Sequence, residues 1–399
     1  MILPAPPEDA DAIWPRFDLA GSPRVVFGPG ALGDLGALAA AIAGPRAFLV
    51  SDPGLAAPGH TRRAAESLRA AGLSVAHFDA VAENPTATDV AACAAALVAA
   101  APHLIVALGG GSAIDTAKAA ALTSATGRPL AAHAGHHRTD AAVLPLLVIP
   151  TTAGTGTECQ SAALIGDAAT HRKLACLDPQ LLPRLALLDP ELTLTLPARV
   201  TAATGLDTLT HAVEAAVTTA RTPASARLAR ESFRLASAAL PRVLAHPADL
   251  AARCAMLWSA ALAGMAIEQS MLGAAHATGN PLTRTRDLTH GFAVSVMLPE
   301  VVRFNAADPA ARAIYADLAA LAGLPATAAA LADHLDALLA RSGAAAALAA
   351  HPAPPDLAAL AAEAATQWTA TFNPRPVDTA ALSELYRATF ARHAPASAP

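Results

Sequence analysis

Lysine is nearly absent from this chain of 399 residues: of 27 Lys and Arg, only Lys118 and Lys173 are lysine. Acids and bases are mixed along the sequence, the formal net charge is −5, and no basic run or stripe occurs. Without a basic patch there is nothing to neutralise a phosphate backbone, which argues against nucleic acid as a partner. Cysteine is sparse as well. Cys93, Cys159, Cys176 and Cys254 stand far apart with no CxxC pair, which excludes zinc-finger spacing and leaves four reduced packing residues as the expectation. The opening MILPAPPEDADAIW lacks the basic start and apolar run of a secretory signal and carries Glu8, Asp9 and Asp11 instead, so a cytoplasmic location is expected.

What is abundant is alanine, in helix-forming tracts such as the one from Ala344 to Ala350. One stretch, Val90 to Ile114, has no Asp, Glu, Lys or Arg and is long enough to span a bilayer. Pro102 and His103 interrupt it, and it divides more naturally into an alanine-rich helix from Val90 to Ala101, a buried strand from Leu104 to Leu108 and a glycine turn. A membrane is not needed.

The length points to two domains. From residue 20 to about 190, apolar runs alternate with helical patterns: VVFG (25–28), AFLVSD (47–52), SVAHF (74–78), LIVAL (104–108), LLVIP (146–150) and LALLDP (185–190). This predicts an α/β domain over 1–195 with a mostly parallel sheet covered by helices. After Pro197 the strand signals stop, and 196–399 reads as all-helical to about Phe390, ending in a frayed tail, HAPASAP. The proline-rich HPAPP at 351–355 reads as a connector.

Two turns carry nucleotide chemistry. LIVALGGGSAIDTAK sets Gly109, Gly110, Gly111 and Ser112 between a strand and a helix, where backbone N–H groups and the positive helix end can hold a pyrophosphate. PTTAGTGTE (150–158) also follows an apolar strand and is rich in hydroxyls and glycine. Neighbouring turns of this kind would form one nucleotide cleft, although either alone also reads as a tight turn. Asp52, at the end of AFLVSD, can accept hydrogen bonds from ribose hydroxyls and would repel a 2′-phosphate, favouring NAD over NADP; it also reads as a turn-forming Asp before Pro53. Asp115 in the first segment joins the cofactor candidates. Where arginine is the default basic residue, the retained Lys118 and Lys173 mark places that want a compact ammonium.

In ATGLDTLTHAVEAAV (203–217), Asp207 and His211 are four apart, so on a helix they share one face and can converge on one ion; an Asp–His hydrogen bond is the alternative. Downstream, MLGAAHATGNPLTRTRDLTHGFAV brings His276 and His290. Together with GGGSAIDTAK, PTTAGTGTE, THGFAVSVMLPEVVRFN and the late NPRPVD (373–378), these segments resemble the iron-containing alcohol dehydrogenase family in order and spacing over nearly the whole chain.

The resemblance implies a dehydroquinate synthase-like fold: a Rossmann-like first domain for NAD(P), a second domain for the metal, substrate between them, and a homodimer. It assigns Asp207, His211, His276 and His290 as ligands of one divalent ion, Fe²⁺ ahead of Zn²⁺, acting catalytically through that metal. Gly110, Gly111 and Ser112 would hold the pyrophosphate, Thr151, Thr152 and Thr155 would line the nucleotide site, and Lys173 would reach the ribose. The family often has a second histidine four residues after the first downstream ligand; here it is Asn280, a substrate or nicotinamide contact that cannot titrate. The expected activity is interconversion of a small primary alcohol and its aldehyde. Arg284 and Arg286, between two ligands, read either as solvent-facing loop residues or as a seat for an anionic substrate. The rival readings are an NAD- and metal-dependent cyclase or lyase of the dehydroquinate synthase type and a catalytically silent NAD-binding scaffold.

Overall fold

The computed structural model describes residues 3–167, 173–286, 288–351, 353 and 356–394. The chain divides into two compact units, Met1–Leu196 and Pro197–Pro399. Most of the expected tail, and part of the 351–355 connector, lie outside the described residues.

In the first unit the described strands are β1 (Phe17–Leu19), β2 (Arg24–Phe27), β3 (Arg46–Ser51), β4 (Ser74–Phe78), β5 (Leu104–Gly109), β6 (Gly135–His136), β7 (Leu146–Pro150), β8 (Ala162–Gly166), β9 (Lys173–Leu177) and β10 (Leu185–Leu188). They interleave with helices α1 (Leu35–Ile42), α2 (His60–Ala70), α3 (Ala87–Ala100) and α4 (Gly111–Thr126). Seven strands form a sheet in the order β1-β2-β10-β7-β5-β3-β4, parallel throughout except for β1 against β2. β5, β7 and β10 are buried from end to end, as parallel strands covered on both faces require. That is why they read in the sequence as unbroken apolar runs.

The strand order reverses at β3. The chain steps from β3 to β4 on one side and then returns to β5 on the other, with Ser51 opposite Leu108 where both strands end. In open α/β sheets, ligands bind outside the carboxyl ends of strands at such a reversal. Asp52 and the glycine turn are the residues that leave β3 and β5 there. The apparent spanning segment Val90–Ile114 resolves into the end of α3, β5 and the start of α4.

A second sheet, β6-β9-β8, was not foreseen in the sequence. Its strands are short and half-exposed, with small residues at alternate positions, so hydrophobic contrast is weak. Ala163, Ile165 and Cys176 from this sheet share a core with Ala119 and Leu122 of α4 and Val90 of α3.

The second unit is helical over its described residues: α5 (Ala198–Val217), α6 (Pro223–Ala245), α7 (Leu250–Glu268), α8 (Ala274–Arg286), α9 (His290–Asn305), α10 (Pro309–Leu321), α11 (Ala328–Ser342), α12 (Ala344–Ala349), α13 (Leu357–Ala365) and α14 (Thr379–Arg392). α5 is buried along nearly its whole length and packs against α6, α7 and α9. Its ionisable side chains from Asp207 onward are therefore inside the protein. α7 is the one described helix long and apolar enough to cross a membrane, and 89% of that window is buried within the protein. It serves as a core helix against α5 and α6.

Candidate metal and nucleotide sites

At the end of β5 the backbone turns through Gly109, at φ +152°, and α4 starts at Gly111 with Gly110 as its N-cap. The first amides of a helix, here those of Gly111 and Ser112, have no acceptor within it. Gly109 and Pro150 are paired across β5 and β7, and Thr151 N donates to Gly109 O at 3.0 Å, so the two glycine-rich segments leave the sheet side by side. A Cβ on Gly111 would lie 2.7 Å from Thr155 Cγ2, one on Gly110 3.2 Å from Thr152 Cγ2, and one on Gly109 3.0 Å from Asp52 Oδ2. The glycines are thus required by the close approach of Asp52, Thr152 and Thr155. Burial raises the pKa of half-buried Asp52, against hydrogen bonds from the Gly54 and Leu55 amides.

Asp115 and Lys118 both engage the second turn of the protein itself. Asp115 Oδ1 accepts from Thr157 Oγ1 at 2.6 Å and Oδ2 from Leu164 N at 3.0 Å, so protein donors engage both oxygens. Lys118 is fully buried; its Nζ donates to Thr157 O (2.7 Å), Gln160 O (2.6 Å) and Ala162 O (3.0 Å), with Thr157 Oγ1 also at 3.0 Å. A point-like ammonium can serve acceptors arranged around it, which a planar guanidinium cannot. The lysine is retained here to lock the second turn onto α4. Glu158 lies one residue further on, with its Oε1 buried and without a hydrogen-bond partner among the described residues; burial pushes its carboxyl up to about 7. Lys173 is exposed at the start of β9, opposite Gly166, and its charge is felt by Asp115. All four cysteines are buried, and burial pushes the Cys93 and Cys176 thiols to about 12 and about 11.

In the second unit α5 carries the buried Asp207 and His211. Asp207 and His211 lie one turn apart on the same face, α8 brings His276, and His290 is the first residue of α9. One donor atom each from Asp207, His276 and His290 lie within 4.8 Å of one another. His211 Nε2 is 3.4 Å and His276 Nε2 3.7 Å from Asp207 Oδ1, and the His211 and His276 rings stack at 4.9 Å. All four expected residues therefore come together. Close approach of α5 and α9 makes this geometry: a Cβ on Gly291 would run into the carbonyl of Ala203.

Two atoms in this cluster are left over. Asp207 Oδ1 and His276 Nε2 are buried and have no hydrogen-bond partner among the described residues. Burial alone would raise Asp207, but the imidazoles of His211, His276 and His290 hold it well below the usual carboxylate range. Burial would likewise lower His276, and the carboxylates of Glu214 and Asp207 instead hold it up at about 9. Each sign reflects concentrated, mutually dependent charge.

Sequence reasoning missed Glu214. It is buried, its Oε2 lies 2.5 Å from His276 Nδ1, and its Oε1 accepts from Ala275 N at 2.7 Å. The signal was present: Asp207, His211 and Glu214 stand at i, i+4 and i+7, one face of one helix. Asn280 is half-buried and donates to Gln367 Oε1 at 3.1 Å. Both arms of the Arg284 guanidinium face the Glu363 carboxylate, so that fork is occupied, while Arg286 Nε is buried with no acceptor among the described residues.

Two family models match in succession: iron-containing alcohol dehydrogenase over residues 22–190 and the C-terminal part of the Fe-containing alcohol dehydrogenase family over 201–390. The chain belongs to this family. It is an enzyme, an oxidoreductase of alcohols and aldehydes. Among its relatives, the NAD-dependent methanol dehydrogenase of Bacillus methanolicus is 35% identical over 71% of this chain and 74% of that one. The sulfoacetaldehyde reductase of Bilophila wadsworthia is 33% identical over 74% and 76%. Of solved structures, a 1,3-propanediol oxidoreductase superposes with a TM-score of 0.85 at 30% identity, covering 95% of this dehydrogenase and 100% of that chain. A sulfoacetaldehyde reductase from Bifidobacterium kashiwanohense, in complex with NAD⁺, superposes at 0.84 with 27% identity over 94% and 99%.

Proposed function

We propose that this dehydrogenase interconverts a small primary alcohol and its aldehyde with NAD, using one divalent cation held by Asp207, His211, His276 and His290. The observation that carries the reading is the pair of buried, unsatisfied atoms, Asp207 Oδ1 and His276 Nε2, amid converging imidazoles. Leaving such groups unpaired costs about 1–3 kcal/mol each, and a cation satisfies both. One carboxylate and three imidazoles suit Fe²⁺ or Zn²⁺; the family's iron puts Fe²⁺ first. Bound there, the cation supplies Lewis acidity to a substrate oxygen, while the nicotinamide gives or takes the hydride.

The rest falls to the chain. Asp207 contributes a single negative charge and neutral imidazoles none, so the donor set does not neutralise a divalent ion. In the first unit, proposed as the nucleotide domain over 1–195, Gly110, Gly111 and Ser112 receive the pyrophosphate and Asp52 the ribose hydroxyls, which selects NAD over NADP. Thr151, Thr152 and Thr155 line this site and Lys173 reaches toward the ribose. Asp115 acts at one remove, by holding Thr157. In the second domain, 196–399, Asn280 contacts substrate or nicotinamide through a hydrogen bond and moves no proton. The NAD named for two relatives supports the choice of carrier, and we take the protein to be a cytoplasmic homodimer.

The test is NADH formation from short alcohols, and NADH consumption with neutral and anionic aldehydes, by anaerobically purified protein loaded with Fe²⁺ or Zn²⁺. Turnover with at least one alcohol–aldehyde pair is expected. Metal-loaded protein that binds NAD yet turns over none of them would overturn the reading in favour of a silent scaffold, and net-redox-neutral ring closure would favour the cyclase class.

A further inference from the structure

We propose that Glu214 is a positioning residue that fixes which nitrogen of His276 faces the metal. The inference rests on the reading that Asp207 and the three histidines hold a cation, and it concerns a residue that does not itself reach the ion.

Glu214 lies two turns beyond Asp207 on the same face of α5. Its carboxylate is shared between two consecutive residues of α8: Oε1 takes the N–H of Ala275 at 2.7 Å, and Oε2 meets Nδ1 of His276 at 2.5 Å. An ionised carboxylate only accepts, so in the neutral form that a ligand histidine must take the remaining proton is held on Nδ1 and the Nε2 lone pair is turned away from Glu214. Nε2 is the nitrogen 3.7 Å from Asp207 Oδ1, and both those atoms are buried without a hydrogen-bond partner among the described residues. A carboxylate on the outer nitrogen of a ligating imidazole fixes its tautomer and ring orientation and raises its basicity.

The start of α8 is built around the same group. Ala274 N donates to Asn373 Oδ1 at 3.3 Å, so the first two amides of the helix that carries His276 go to side chains of Asn373 and Glu214 and not to solvent. At Gly273 a Cβ would lie 3.0 Å from Asn373 Oδ1 and 3.1 Å from Glu214 Oε1. Asn373, the first residue of the NPRPVD segment, is cross-linked to Asn305 of α9 by bonds of 3.1 and 2.7 Å. The late motif thus gains a role: it seats the helix end on which Glu214 acts.

Glu214→Gln separates positioning from packing because it keeps the shape and breaks the acceptor pattern. Glutamine has one acceptor end and one donor end. If its oxygen faces Ala275 N–H, its NH₂ faces Nδ1 and drives the proton to Nε2; if it is turned round, two N–H groups oppose one another at Ala275. The first orientation loses the Nε2 lone pair, and the second keeps it only at the cost of two opposed N–H groups at the start of α8.

The experiment measures Zn²⁺ affinity by chelator competition, and the visible absorption of the Co²⁺ form, for wild type and Glu214→Gln, with melting temperatures of the metal-free proteins as a control on folding. Expected is a loss of affinity of about 10- to 100-fold with a shifted Co²⁺ band and closely similar metal-free melting. Equal affinity and an identical band overturn the proposal while leaving the four-ligand reading intact; a wild type that takes up neither ion overturns both. If the variant does not fold, ¹⁵N-histidine NMR of Zn²⁺-loaded wild type decides: His276 with its proton on Nδ1 supports the proposal, and a proton on Nε2 overturns it.

Discussion

Two clusters, Asp115–Thr157–Lys118 in the first unit and Asp207–His276 in the second, bury polar groups in opposite ways. Around the glycine turns of the first unit, Asp115, Thr157 and Lys118 satisfy one another and the backbone of the second turn, leaving backbone amides and hydroxyls beside the reversal point of the sheet. Between α5 and α8 in the second unit, Asp207 Oδ1 and His276 Nε2 are buried with no hydrogen-bond partner among the described residues. A closed network is architecture that presents a ligand surface elsewhere; an open one is itself a ligand set. Buried polar groups mean different things according to whether the hydrogen-bond account closes.

The largest effect should come from the open network. Asp207→Ala and His276→Ala, checked for retained folding by circular dichroism, are expected to lose bound metal and at least about 10³-fold in kcat/KM, since Lewis-acid assistance is worth several kcal/mol. Either variant at full activity and full metal content would remove the distinction between the units.

Next comes the closed network. Lys118→Met strands three carbonyls in the interior and removes the positive charge that offsets Asp115, and should destabilise the protein by about 3–5 kcal/mol in urea unfolding and raise KM for NAD more than it lowers kcat. A variant as stable as wild type, with unchanged KM, would mean that the turn holds its shape without the ammonium.

Glu158 gives a smaller, pH-dependent effect. Its folded-state pKa, about 7, lies above the ordinary value of 4.5, so the folded protein keeps a proton that the unfolded chain gives up. The stabilisation this supplies is complete below 4.5 and is lost as the pH rises through about 7. Thermal unfolding should therefore show wild type losing up to about 3 kcal/mol between those limits relative to Glu158→Gln. Parallel pH profiles for the two proteins would count against it. Least of all, Arg284→Ala breaks only a partly exposed pair with Glu363 and should cost less than about 1 kcal/mol, with the ratio of kcat/KM for anionic and neutral aldehydes unchanged. A selective loss on anionic substrates would return Arg284 to the site.

The sequence announced the main sheet because its strands are buried on both faces: LIVAL and LLVIP have no polar residue to blur them. β8 and β9 escaped because AALIG and KLACL are short and each buries only one or two of its five residues. In the site, Asp207, His211, His276 and His290 were legible through spacing and family resemblance together. Glu214 shares their helix face, yet a lone Glu among alanines reads as a solvated charge until the burial of α5 is known. Lys118 was noticed for its rarity as a place for a compact ammonium, but the acceptors it serves, the protein's own carbonyls, come from 39 to 44 residues away. Arg284 was visible as a charge near the ligands, whereas its partner Glu363 is 79 residues away, a distance no local pattern bridges.

The most direct test is metal analysis of anaerobically purified wild type, before and after chelation, with NADH-linked alcohol oxidation followed on the same samples. About one divalent ion per chain, removed together with activity and restored by Fe²⁺ or Zn²⁺, is the expected result. Full turnover by protein stripped of every divalent ion would contradict the claim that the unsatisfied atoms on α5 and α8 are a metal site.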